Sequence, residues 1–302
     1  MIKTVIIVAG PTAVGKTTVA IELAKHFGTE IISADSRQCY KELKIGVARP
    51  SDEELKMVPH HFIASHSIHE SINAGIFEQY ALEKAREIFQ GNNLVIMVGG
   101  TGLYLKAFCE GIDEIPEVPG VVRNEIINSY NEYGLSWLQE QVKNADPQFY
   151  ATGEIQNPQR MMRALEVFKA TGKSILEFRR GKKINREFTI LKLALELPKE
   201  ILNQNISNRV GKMLESGLLD EVKELLPYQH LNALQTVGYK ELFDYLSGKV
   251  HLENAVEEIK KNTRQYAKRQ LTWFKKDKEY TWFQAMELEK IKEHLNSALI
   301  YK

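Results

Sequence analysis

Eight residues near the amino terminus carry the plainest chemistry in the chain: Gly10, Pro11, Thr12, Ala13, Val14, Gly15, Lys16 and Thr17. Their spacing is G-x-x-x-x-G-K-[ST], in which the glycines let backbone N–H groups turn inward around phosphate oxygens. Lys16 supplies a mobile cation there, and the Thr17 hydroxyl can hold Mg²⁺. The loop reads as a cradle for a di- or triphosphate, without saying which one or what is done to it. Asp35 ends a second apolar run and can act as a Mg²⁺ ligand, as a general base, or only as a turn former. Ser36, Arg37 and Gln38 follow it and can hydrogen-bond a polar substrate. A third apolar run ends in Gly99-Gly100-Thr101, where a nucleoside triphosphatase would usually place Asp. The glycines admit a close ligand and Thr101 offers a hydroxyl. This argues against a routine ATPase and leaves a kinase open.

Those groups need strands and helix ends to hold them. Residues 2–9 read as a buried strand, followed by a helix from Lys16 that stops at Gly28 and adds its positive N-terminus to the cradle. Residues 30–35 and 94–98 read as further buried strands, 74–90 as a helix, and 41–69 as mostly loop. This alternation predicts an α/β fold of the phosphate-loop NTPase kind: a parallel sheet covered by helices, with ligands at the carboxyl ends of the strands. Beyond Gly111 the pattern changes. Pro116 and Pro119 mark a linker, and helical signals at 121–130, 135–143, 158–170 and 174–179 predict an inserted all-helical subdomain over residues 116–185. Residues 181–186 read as a basic connector, and a strand at 188–195 returns to the sheet. The core thus comprises residues 1–115 and 186–302, closed by helices at 199–216, 220–226, 233–246 and 252–276.

Composition sets the bounds. A net charge of +1 gives no global basic field, so contacts with nucleic acid must be local. Cys39 and Cys109 are too few for a disulfide framework or a thiolate zinc cluster, which points to a reducing cytosol. No stretch of about 20 apolar residues is present, so no membrane span is expected. His60, His61 and His66 lack the cysteine or acidic companions of a metal site. Lys260, Arg264 and Lys268 lie four apart near the carboxyl end, a spacing that suits a phosphate backbone or merely a solvated face.

Three motifs together, Gly10–Thr17, Ser33-Ala34-Asp35-Ser36 and Val98-Gly99-Gly100-Thr101-Gly102-Leu103-Tyr104, resemble the bacterial tRNA dimethylallyltransferases, also called tRNA isopentenyltransferases. Asn157-Pro158-Gln159-Arg160, Arg209-Val210, Val237-Gly238-Tyr239 and the stretch from Arg264 to Phe274 extend the likeness along almost the whole chain. Departures are Lys199, Asn205 and Gln235, where arginines are expected in some or all members. The resemblance implies transfer of a dimethylallyl group from dimethylallyl diphosphate to N6 of adenosine 37 in the anticodon stem-loop of tRNA, with Mg²⁺ as cofactor. It implies Asp35 as general base, Thr101 as a positioning hydroxyl, and Lys16 and Arg209 as counter-charges to the leaving diphosphate. It assigns tRNA contacts to Asp35, Ser36, Arg37, Gln38, Thr101, Arg123, Gln159, Arg160, Met161, Met162, Arg163, Lys268 and Arg269. A cytoplasmic monomer is expected. The alternatives are a small-molecule kinase on the same loop, a prenyltransferase acting on free adenine nucleotides, and a nucleotide-switched RNA-binding module without catalysis.

Overall fold

The computed structural model describes residues 2–179, 181 and 183–300; Lys182 of the expected basic connector lies outside them. The chain forms two compact units, Met1–Glu110 with Asn185–Lys302, and Gly111–Ile184. The first begins with β1 (Thr4–Ala9), α1 (Lys16–Phe27), β2 (Ile31–Ser33), α2 (Asp52–Met57), β3 (His60–His61), α3 (Ala74–Gly91), β4 (Leu94–Gly99) and α4 (Gly102–Glu110). The second unit follows with α5 (Gly120–Ala145), α6 (Pro147–Thr152), α7 (Pro158–Thr171) and α8 (Ile175–Phe178). The chain then returns through β5 (Thr189–Glu196), α9 (Lys199–Glu215), α10 (Leu218–Glu224), α11 (Tyr239–Leu246), α12 (Leu252–Lys276), β6 (Thr281–Gln284) and α13 (Leu288–Ile300).

The six strands form one all-parallel sheet in the order β3-β2-β4-β1-β5-β6. Alternation along β1 explains why helices must cover both faces: Val5, Ile7 and Ala9 enter one apolar cluster, while Ile6 and Val8 enter the other. The first cluster takes in Phe77 of α3, Phe108 of α4 and Phe274 of α12; the second takes in Leu23 of α1, Ile206 of α9 and Leu295 of α13.

Several elements differ from expectation. The 41–69 stretch is not all loop: Ser51 and Glu54 close a capping box that starts α2, and His60 and His61 pair with Ile31 and Ile32 as the edge strand β3. Beyond α12, β6 and α13 extend the core, and α6 starts on an Asp146 cap with Pro147 in its first turn. In the second unit, Gly134 at φ 78° breaks α5 between the two helices read there. Phe149, Met161 and Leu165 form the centre of that unit's own core. No helix among the described residues is long and apolar enough to cross a membrane.

Candidate active site

The phosphate loop leaves the sheet at the carboxyl end of β1. Gly10 sits at φ +145°, and a Cβ there would lie 2.7 Å from the Leu195 carbonyl of β5. Gly15, at φ +100°, caps α1, so the first turn of that helix faces the loop. Lys16 folds back to donate to the Pro11 carbonyl at 2.6 Å. Desolvation of its ammonium, with Arg209 adding positive charge, lowers its pKa to about 7, and Asp35 opposes the shift. Arg209 reaches the loop from α9, donating from Nη1 to Thr12 Oγ1 at 3.1 Å. Burial lowers its pKa as well, and Asp35 again opposes.

Asp35 stands just past β2. Its Oδ1 accepts the backbone N–H groups of Arg37 at 2.9 Å and Gln38 at 3.2 Å, which fixes the carboxylate's orientation. Thr101, just past β4, accepts the Ser36 N–H on its hydroxyl at 3.1 Å. Two strand ends are thereby tied together beside the loop. A polar cavity of ≈ 330 Å³ lies over Lys16 and Thr17. A second cavity of ≈ 240 Å³ is walled by Val210, Met213, Val237 and Ile259. The two share Thr12, Asp35, Arg209 and Tyr266, so charge and carboxylate meet at the junction of a polar and an apolar chamber.

Four residues that the sequence did not mark as site residues hold this arrangement. Gln270 of α12, 6% exposed, accepts the Thr12 N–H at 2.8 Å and donates to the Gly100 carbonyl at 2.9 Å, clamping the phosphate loop to the glycine turn after β4. Tyr266, one turn earlier, lines both cavities; burial pushes its phenol up to about 12, and the Asp35 charge adds to the shift. Asn205 stands where the family resemblance expects arginine, and it donates to the Ala13 carbonyl at 3.2 Å. Glu221 of α10 accepts the N–H groups of Lys44 at 3.1 Å, Ile45 at 2.7 Å and Gly46 at 3.0 Å, and the Tyr239 hydroxyl at 2.6 Å. Its one carboxylate thus holds the start of the 44–50 stretch, which lines both cavities.

The residues expected to touch RNA fall into three groups. Arg37, Lys268 and Arg269 belong to the sheet unit; Lys268 and Arg269 are exposed, and Arg269 lies over the Tyr266 ring at 5.9 Å. Arg123, Gln159 and Arg160 are exposed on the helical unit, and Arg163 is half-buried there. Met161 and Met162 are 0% and 5% exposed. These two methionines are packing residues of the helical core and are withdrawn as RNA contacts, because they occupy the inward positions of α7. Gln38 is committed as well, donating to the Ala48 carbonyl at 2.9 Å and accepting from Ser33 at 3.3 Å. The expected cationic face of α12 is split: Lys260 pairs with Glu257 at 2.7 Å, and Arg264 turns to Ser207 at 3.1 Å.

The donor set around Thr17 suits Mg²⁺. The Thr17 hydroxyl, Ser33, Asp35 and Glu54 line the polar cavity, and no histidine or cysteine does. Among the described residues no group of three or more His, Cys, Asp or Glu side chains stands as a ready metal site. That arrangement fits a hard cation completed by substrate phosphate oxygens.

A family model described as IPP transferase matches residues 38–277. The chain is 47% identical over 283 residues to the tRNA dimethylallyltransferase of Christiangramia forsetii, covering 94% of each chain. It is 48% identical over 287 residues to that of Flavobacterium johnsoniae, covering 93% of each. Among solved structures, the full-length tRNA isopentenylpyrophosphate transferase of Bacillus halodurans is similar at 34% identity and TM-score 0.72, over 99% of this chain and 97% of that one. A eukaryotic dimethylallyltransferase acting on tRNA is similar at 29% identity and TM-score 0.79, over 99% of this chain and 78% of that one.

Proposed function

As this chain belongs to the IPP transferase family and is a prenyltransferase acting on tRNA, we propose that it moves the dimethylallyl group of dimethylallyl diphosphate onto N6 of adenosine 37, releasing diphosphate. The observation that carries this reading is the junction of the two cavities. Loop, cation and carboxylate meet there, with Val210, Met213, Val237 and Ile259 giving the neighbouring chamber an apolar side that suits an allylic group.

The diphosphate lies against the Gly10–Thr17 loop, facing the α1 N-terminus, Lys16 and Arg209. As the C1–O bond breaks, the bonding pair leaves with the diphosphate, whose growing charge these cations offset. The N6–C1 bond forms from the adenine side, and the N6 proton passes to the Asp35 carboxylate, already oriented by two backbone amides. Adenine N6 is a weak nucleophile, so the base benefits most once the new bond has made its proton acidic. Thr101 and Tyr266 position the acceptor. Mg²⁺ bound at Thr17 would add further charge neutralisation on the diphosphate. Adenosine 37 must leave its stack to reach this depth. Arg37, Lys268 and Arg269 on the sheet unit, and Arg123, Gln159, Arg160 and Arg163 on the helical unit, are the proposed contacts to the anticodon stem-loop.

The test is an incubation with labelled dimethylallyl diphosphate, Mg²⁺ and unmodified tRNA carrying either adenosine or guanosine at position 37. Label is expected in the adenosine tRNA alone. Asp35→Ala is expected to lower turnover by about 10²–10⁴-fold while tRNA binding persists. A protein that binds tRNA yet labels neither substrate would sink the reading.

A further inference from the structure

Helix α12 meets the glycine turn after β4 through two side chains, Gln270 and Trp273. Gln270 donates to the Gly100 carbonyl at 2.9 Å. Trp273, three residues on, sits against Gly102: a Cβ at that glycine would lie 2.2 Å from the indole Nε1 and 2.3 Å from Cδ1. An indole held this close needs glycine beneath it. Gln270 and Trp273 thus bracket Thr101, whose hydroxyl accepts the Ser36 N–H beside Asp35. The seat does not bury the ring. Trp273 remains 40% exposed, and Leu103, the residue after its glycine seat, is 50% exposed. Arg269 and Lys276, four before and three after Trp273 on the same side of α12, are exposed as well. An aromatic face and an aliphatic side chain therefore stand in water beside Thr101, flanked by cations.

We propose that Trp273 is a stacking platform for an unpaired base next to adenosine 37 in the anticodon loop. This rests on the reading that adenosine 37 of tRNA is the acceptor, and it adds a kind of contact that the basic residues do not supply. Flipping adenosine 37 out leaves each neighbouring base with one face bare, so the loop loses stacking on both sides of the gap. An indole fixed at the rim offers a replacement face, and stacking accepts any base because every base has a π-face. Placement favours this occupant. Consecutive Cα atoms lie about 3.8 Å apart, so the ring on Gly102 is next to Thr101, and a base that enters past Thr101 leaves its neighbour at the indole. Charge favours it too, since Arg269 and Lys276 face the phosphates on either side of a stacked base. An apolar protein partner would need a broader face than one indole and one leucine.

The experiment uses the full-length protein and anticodon stem-loop RNAs carrying 2-aminopurine at position 36 or 38, a base whose emission falls when it stacks. Bound to the wild-type protein, one of the two labels is expected to be quenched. Bound at saturation to Trp273→Leu, the same label should brighten, and with Trp273→Phe it should stay largely quenched. In steady-state kinetics with unmodified tRNA, Trp273→Leu should raise KM for tRNA by about tenfold while KM for dimethylallyl diphosphate stays within about twofold. Emission from both labels that is the same in wild type and Trp273→Leu overturns the proposal. Equal rises in both KM values with a lower urea midpoint also overturn it, and would make Trp273 a packing residue between α4 and α12. Failure of the wild-type protein to label tRNA is a different result, and it would remove the reading on which the proposal rests.

Discussion

Gln270 shows how much of this site depends on a side chain that need not touch substrate. It fills two needs at once, an acceptor for the Thr12 N–H and a donor for the Gly100 carbonyl, in a place closed to water. Gln270→Leu leaves both backbone groups unpaired at a cost of about 2–4 kcal/mol, read as a lower urea midpoint. Its sharper signature is kinetic: KM for dimethylallyl diphosphate should rise about tenfold while KM for tRNA stays within about twofold. Equal rises in both would assign Gln270 to general stability. Asp35, Thr101 and Lys16 were legible in the sequence because each follows directly from a strand end or a fixed loop spacing. Gln270 was not, since its partners lie 258 and 170 residues away and its local context says only that a helix is amphipathic. The role of Asn205 was hidden for a related reason: its amide acts on the Ala13 carbonyl, a backbone atom whose position no side-chain pattern reveals.

At the scale of elements, the stretch 44–50 has no regular structure, yet it walls both cavities. What orders it is the Glu221 carboxylate, with the fully buried Tyr239 ring beneath Gly46. Glu221→Ala removes the acceptor from three backbone N–H groups and from a buried phenol. Amide exchange across 44–50 should then quicken by at least about tenfold, with kcat/KM down about 10–100-fold. Tyr239→Phe, which loses one bond of the four, should show a fraction of both effects. Unchanged exchange in Glu221→Ala would mean that packing alone orders the stretch. The long apolar strands and amphipathic helices were legible, because burial on both faces leaves a continuous hydrophobic record. β3 was hidden since it is two histidines at a sheet edge, half-exposed and paired on one side only. β6 is four residues long with exposed ends, and its place beside β5 is a tertiary fact that four residues cannot announce.

At the scale of the molecule, each unit has its own apolar core, so damage to one is expected to spare the chemistry of the other. Phe149 is 1% exposed within the helical core. Phe149→Ala should cost that unit about 3–5 kcal/mol and split the calorimetric trace, with an early transition for residues 111–184. Binding of a non-reactive diphosphate analogue should persist while transfer to tRNA falls. A single transition at lowered temperature would show that the units unfold as one. Sheet order also bears on synthesis. β1 is the first strand made and lies between β4 and β5, but about 90 residues separate the end of β4 from the start of β5. At ribosomal speeds of roughly 5–20 residues per second the nascent chain waits roughly 5–18 s with one edge of β1 open. A bare apolar edge is a template for pairing with a neighbouring chain. The helical unit is completed during that interval, so its folding is a matter of timing on the polysome: an insertion that lingers unfolded prolongs the exposure of an edge to which it contributes no strand.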